Sequence, residues 1–436
     1  METRGASREV PRAALSSRKG KGREEGGILT KLRAAATRTL IEPRLYARRR
    51  SYKSGNGAAH GAHETLEIKR KDAMAASVVS RNDEEELNGE TESEASSIYQ
   101  GSIISTVPDR HGFLGGSQYS PERKQSISPD VILRRERKWI QMLNNWSLFM
   151  TTNYHKVRER CRKGIPPSVR LRAWLNLCGG QLLMNENPNL YEELIKRPGD
   201  PKYIEDIKKD LHRQFPHHEM FVENAPGQQE LFQVLKAYSI LNSKVGYCQA
   251  QAPIAAFLLM HMPAVQAFWC LVAICDKYLI GYYSQGMETL LRDGDILFAL
   301  LKRVSPVAYK HLKKQKMEPI LYMTEWFLCV YTRTLPWESI LRIWDMFLCE
   351  GVKVIFKVGL ILLKGSLGRT SLIKCCPTTY ETLQVLRNPP QHIMEEEVLV
   401  YQIQRLNLSE EDFEYEHQKQ MLKRKTVEKE TANRTD

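Results

Sequence analysis

Order begins where the texture of the chain changes, at Pro129. From Val131 to Phe149, Ile132, Leu133, Trp139, Ile140, Leu143, Trp146 and Phe149 recur near helical spacing with Arg and Lys between them, which predicts a first amphipathic helical stretch. From Gly164 onward the pattern is almost wholly helical. Gln229 to Leu241 places Leu231, Val234, Leu235, Tyr238 and Leu241 on one face, and Ala264 to Tyr278, Asp295 to Val304 and Trp337 to Leu348 repeat the arrangement. Ile254 to Met260 is apolar on every side, the mark of a helix buried all round. Val354 to Leu363 is apolar but interrupted by Lys357 and too short to cross a bilayer. Val398 to Leu406 is expected to close the domain. Period-two alternation is scarce, so the fold class is all-α.

Composition separates the flanks from this domain. The chain has 436 residues, 42% of them hydrophobic, enough for a sizeable core. Up to Asp72 it is rich in Arg, Lys, Ala, Ser and Gly, with a local charge of about +10 and little apolar periodicity. This reads as a disordered basic arm that contributes much of the whole-chain charge of +13, so that charge says little about the domain's partner. Lys31 to Arg50 suits a short helix with weak attraction to an anionic membrane. Glu2, Glu9, Glu24 and Glu25 argue against a mitochondrial targeting peptide, and there is no apolar core of a secretory signal. No aromatics interleave with the basic residues, so nucleic acid is not expected as a partner. An acidic block from Asp83 to Glu94 follows, then Ser120-Pro121 and Ser128-Pro129, candidate proline-directed phosphorylation sites. Beyond Glu410 the chain is charged, a frayed helix or tail. The expected organisation is an arm and linker over 1–125, a helical domain over 126–410 and a charged tail over 411–436.

The candidate chemistry lies between Tyr203 and Pro253. At about 100° per residue, Ile204, Ile207 and Leu211 share one face of a helix, with Asp206, Asp210 and Arg213 on the other. Asp210 stands three residues before Arg213, the spacing at which a carboxylate can hold a guanidinium in one orientation. Taken alone the pair is an ordinary solvated ion pair. Pro216 places Arg213 near a helix end. In Val245-Gly-Tyr247-Cys-Gln249, Gly246 permits a turn, and Pro253 suits the first turn of the buried helix that follows, so Gln249 lies at that helix's mouth.

Together these residues resemble the signature motifs of the TBC domain, the catalytic domain of GTPase-activating proteins for Rab GTPases. Ile207, Asp210 and Arg213 match its Ile-x-x-Asp-x-x-Arg motif, and Tyr247 and Gln249 its Tyr-x-Gln motif. Arg162, Gly164, Pro167, Arg170 and Trp174 upstream fit the pattern in order, as do Phe215-Pro216, Phe268-Trp269, Trp326-Phe327, Leu335-Pro336, Arg342-Ile-Trp344-Asp345 and Gly351 downstream. The resemblance covers roughly residues 125 to 405. Asp109-Arg-His-Gly-Phe-Leu-Gly-Gly116, the Trp139 to Trp146 stretch and Gly246-Tyr-Cys-Gln-Ala-Gln-Ala-Pro253 look like the EPI-type subfamily, whose best-known member binds a PDZ scaffold of ezrin. Ala250 stands where the usual run has glycine, a departure shared with that subfamily. The tail ends Asn433-Arg-Thr-Asp436 without the apolar terminal residue a PDZ ligand needs, so that link is not expected here.

The resemblance implies that Arg213 and Gln249 act in trans on a GTP-bound Rab, with Asp210 positioning Arg213, Tyr247 shaping the loop, and Arg170 and Trp174 structural. It implies a regulator of membrane trafficking, cytoplasmic or peripheral on endosomal or plasma membrane, and points first to Rabs of recycling endosomes and exocytosis. No Gly-x-x-x-x-Gly-Lys-[Ser/Thr] loop or kinase-like set is present, so no cofactor of its own is expected: GTP and Mg²⁺ belong to the partner. The competing readings are a TBC-like adaptor that binds without stimulating hydrolysis, and a membrane scaffold acting through the arm. An activator is expected to keep its activity in solution without residues 1–125, and a scaffold is not. The nine cysteines form no Cys-x-x-Cys pair and read as free thiols. Cys248 has no clear histidine partner, and His212, His217 and His218 lack metal-binding spacing.

Overall fold

Prolines and glycines punctuate the chain, and the helices fall between them. The computed structural model describes residues 107–114, 127–223 and 225–435. The basic arm, the acidic block and Ser120 lie outside the described residues. The first half of the domain contains α1 (Pro129–Asn144), α2 (Trp146–Thr152), α3 (Tyr154–Lys163), α4 (Pro167–Cys178), α5 (Gly180–Glu186), α6 (Leu190–Lys196), α7 (Pro201–Leu211), α8 (Pro226–Leu241), α9 (Gln251–Leu259) and α10 (Ala264–Ala273), the last running into a π turn, Ile274–Tyr278. The second contains α11 (Glu288–Val304), α12 (Pro306–Lys314), α13 (Ile320–Leu328), α14 (Trp337–Glu350), α15 (Lys353–Leu367), α16 (Thr370–Lys374), α17 (Thr379–Arg387), α18 (Gln391–Met394), α19 (Glu396–Arg405) and α20 (Glu410–Thr435). No strand occurs among the described residues, so the fold is all-α, with one isolated bridge between Phe113 and His218.

Prolines occupy the first turn of α1, α4, α7, α8 and α12, where the missing N–H costs nothing. Ser128 stands exposed at the N-cap of α1. The helix predicted to be buried all round is α9, every residue of which is buried. It packs between α8 and α10, and α8 also meets α6 and α7. In the second half α15 is surrounded by α11, α14 and α19. The last helix, α20, is no frayed end over its first turns: it lies along α11, and its Phe413, 2% exposed, packs on Phe356 of α15 with ring centroids 5.8 Å apart. Against α11, Arg303 pairs with Asp412, and Arg424 with Asp295 at 2.9 Å.

The two halves meet on α14, whose residues from Ser339 to Cys349 are buried apart from Arg342. Its Trp344 packs on Phe257 of α9, ring centroids 4.6 Å apart, and on Trp174 of α4 at 5.6 Å. One turn of α14 also carries Asp345, which has no solvent exposure. Its Oδ1 accepts from Trp174 Nε1 at 2.7 Å and Arg170 Nε at 3.3 Å, and its Oδ2 from the Ile165 backbone N–H at 2.7 Å. Arg170 closes the ring by donating Nη2 to the Ile165 carbonyl at 2.6 Å. Burial pushes the Asp345 carboxyl above the usual carboxylate range, while the Arg170 guanidinium and the two N–H groups pull the other way.

Asp345→Ala would strand the Arg170 charge and two N–H donors inside the fold. It is expected to cost about 3 to 5 kcal/mol, the penalty for breaking a buried pair from one side, read as a fall in the urea midpoint of unfolding.

Candidate functional site

The two motif segments meet at the C-terminal end of α7. Asp200 caps the start of that helix by accepting from Lys202 N at 2.9 Å, and Ile207 anchors it with no exposed surface. Asp210 stands in its last turn and Arg213 in the turn beyond it. Sequence periodicity puts Asp206 and Asp210 together on the solvent face. Asp206 is half-exposed, but Asp210 keeps only 8% of its surface, because the 242–250 loop folds over the helix end and covers it.

That cover is built by backbone chemistry. The Asn242 carbonyl accepts from Val245 N at 3.1 Å and Gly246 N at 2.8 Å, and its side chain donates to Asp276 at 3.1 Å. Gly246 has φ +64°, and a Cβ there would fall 2.1 Å from Cζ of Tyr203, on α7. Only glycine lets the loop press onto the helix. Pressed there, Tyr247 donates its hydroxyl to Asp210 Oδ2 at 2.5 Å, while Arg213 Nε donates to Oδ1 at 2.8 Å and Nη2 reaches the same oxygen. Each oxygen of one carboxylate thus serves one motif. Burial, and then the Asp210 charge, hold the Tyr247 phenol above its usual range, so it remains a donor.

The Arg213 side chain is 38% exposed. An ion pair so open to water contributes at most about 1 kcal/mol to stability, so its effect here is orientation. Nε and Nη2 are engaged, and Nη1 has no partner among the described residues. Gln249 is also exposed, and its carbonyl accepts from Ala252 N at 3.2 Å in the first turn of α9. The same turn is tightened by Gln251, whose Oε1 accepts from Cys248 N at 3.1 Å. Burial pushes the Cys248 thiol up, away from the thiolate a nucleophile needs.

A model of the Rab-GTPase-TBC domain matches residues 167–367. TBC1 domain family member whacked of Drosophila melanogaster is 56% identical over 324 residues, 74% of this chain and 89% of that protein. The chain belongs to the TBC family of Rab-GTPase-activating proteins. Within it, the chain falls with the EPI-type subfamily expected from its sequence. Human TBC1 domain family member 10B is 50% identical over 353 residues, 81% of this chain but only 42% of that protein's length. The crystal structure of the Chlamydomonas flagellar RabGAP TBC domain superposes with a TM-score of 0.53 at 26% identity, covering 68% of this chain and 99% of that domain.

In this TBC domain Asp210, Arg213 and Tyr247 are in direct contact, and Gln249 lies two residues on, at the mouth of α9. Arg170 and Trp174 are not at the site but on Asp345. Of the three neighbouring histidines, His217 is exposed and His218 is buried with its Nε2 on a backbone carbonyl. Sequence reasoning missed Gln214, whose Nε2 donates to the Asp210 carbonyl at 2.9 Å, and Gln251. Both stand in the motif segments, beside Arg213 and two residues past Gln249, but only burial distinguishes them from surface glutamines. All nine cysteines are free thiols, Cys375 exposed and Cys376 buried.

Tyr247→Phe would leave Asp210 Oδ2 short of its donor in a largely buried place. The variant is expected to lose about 1 to 3 kcal/mol of stability, measured by chemical denaturation, and Asp210→Asn combined with it should be far from additive.

Proposed function

We propose that this chain accelerates GTP hydrolysis by a GTP-bound Rab, with Arg213 and Gln249 inserted in trans at the partner's nucleotide. The observation that carries the reading is the shared Asp210 carboxylate: it fixes the Nε edge of an exposed arginine and, through Tyr247, the loop that presents an exposed glutamine. The family membership supports a Rab as the partner.

Hydrolysis requires a water to attack the γ-phosphorus as the bond to the β–γ bridging oxygen breaks, with the proton passing to the phosphate product. Negative charge gathers on the bridging and γ oxygens, and a guanidinium supplied there offsets it. Such a finger is worth about 10³ to 10⁵ in rate, or roughly 4 to 7 kcal/mol. A carboxamide offers an acceptor for the water and a donor for the γ-phosphate at once, which suits Gln249 to orient the nucleophile. GTP and Mg²⁺ are held by the GTPase. Ending the GTP state of a Rab would switch off a membrane-trafficking signal, with the basic arm adding weak attraction to anionic membrane.

Single-turnover hydrolysis by a panel of GTP-loaded Rabs tests this with the full chain. Stimulation of one or a few is expected, reduced about 10³-fold or more by Arg213→Ala and about 10²-fold by Gln249→Ala. Arg213→Lys should rescue little, since an ammonium lacks the planar fork. A folded wild type that binds a GTP-loaded Rab without stimulating it would instead make the chain an adaptor.

A further inference from the structure

The segment 107–114 stands outside the helical domain in sequence, yet it is built into the loop that carries Arg213. Asp109 organises it: Oδ1 accepts from His111 N at 2.8 Å and Phe113 N at 3.0 Å, and the Asp109 N–H donates to the Phe113 carbonyl at 2.9 Å. The turn pairs with residues 217–219 in both directions. Leu114 N donates to the His217 carbonyl at 2.7 Å, and Glu219 N to the Gly112 carbonyl at 2.7 Å. Gly112 has φ +87°, and a Cβ on it would lie 2.6 Å from His218 Nε2, so the two backbones close on each other only at glycine. His218 completes the joint as a neutral ring, donating Nε2 to the His111 carbonyl at 2.9 Å and accepting at Nδ1 from Met220 N at 3.2 Å.

Phe113 drives the contact, with 1% of its surface exposed. Its ring lies 4.9 Å from both His218 and Trp337 and 6.5 Å from Phe215. Phe215 stands two residues after Arg213 with φ +45°, a conformation a bulky residue holds only when its surroundings over-determine it. Here they are Phe113 and Trp337, and Trp337 in turn packs on Phe257 of α9, the helix that Gln249 leads into. Glu338 pins the outside of the turn through Arg110 and His111.

We infer that residues 109–113 form a clamp in cis that sets the backbone of the Arg213 loop for catalysis, with Phe113 as its positioning residue. The inference rests on the reading of Arg213 as a finger. It also revises the expectation for a chain cut at residue 125, which loses the clamp and with it most of its stimulation.

The test uses the full chain. Phe113→Ala is expected to lower the maximal stimulated rate about 10- to 100-fold, the cost of a small misplacement of a reacting group. The activator concentration giving half-maximal stimulation should change much less, Phe113→Leu should restore most of the rate, and amide exchange over 213–219 should quicken. A merely structural role would lower the folded fraction and leave the rate per folded molecule unchanged, and that result overturns the clamp. So does faster exchange with an undiminished rate. Should Phe113→Ala fail to fold, Asp109→Ala at the edge of the turn carries the same expectations. A wild type that stimulates no Rab defeats the functional reading instead, and unchanged exchange over 213–219 in Phe113→Ala would then still defeat the clamp.

Discussion

A carboxylate without access to water stands in the middle of α14, and both halves of the domain are arranged to keep it satisfied. Desolvating a charge is expensive enough that Asp345 can persist there only with its donors in place. Those donors come from the start and middle of α4 and from the residue two before it, so meeting the demand fixes α4 against α14. Arg342, on the same helix, donates to the Arg162 carbonyl at 3.0 Å and pairs with Glu396 of α19, and Arg162 grips Glu350 at 2.7 Å. The polar knot gives the packing a register that apolar contact alone, being non-directional, does not supply.

From that anchored helix the site is reached in one step. Trp337 opens α14 and forms the common wall for Phe113, Phe215 and Phe257. The loop after α7 and the helix α9 therefore rest on one aromatic floor, while above it Asp210 ties Arg213 to Tyr247. The Arg213 tie contributes little stability, since it is half-open to water, while the Tyr247 tie matters to stability only because it satisfies a buried oxygen. What they contribute is direction, and the proposed role of Arg213 at a partner's nucleotide needs direction more than burial.

The helices were legible in the chain because a 3.6-residue period is written locally: α8, α9 and α14 fall where Leu231 to Leu241, Ile254 to Met260 and Trp337 to Leu348 put them. The ends were less so. The charged stretch after Glu410 reads as a frayed tail, yet a few well-spaced residues suffice to seat it, Phe413 on Phe356 of α15 and Asp412 and Arg424 on α11. The outward placement of Asp210 failed for a related reason. Periodicity assigns a residue to a face of its own helix, and is silent about a loop thirty residues on that covers that face.

By itself, then, the sequence determined the all-α class, the helix periods and the family, because apolar spacing and the ordered motifs from Arg162 to Gly351 are properties of the chain read one residue after another. Only the tertiary structure decided that Arg170, Trp174 and Asp345 are one cluster, that Asp210 serves both motif segments, and that Asp109 to Phe113 belong to the Arg213 loop. Each of these joins residues far apart in the chain through the geometry of a hydrogen bond or a packed ring. Such geometry exists only once the intervening helices have set their distances, so no local pattern encodes it.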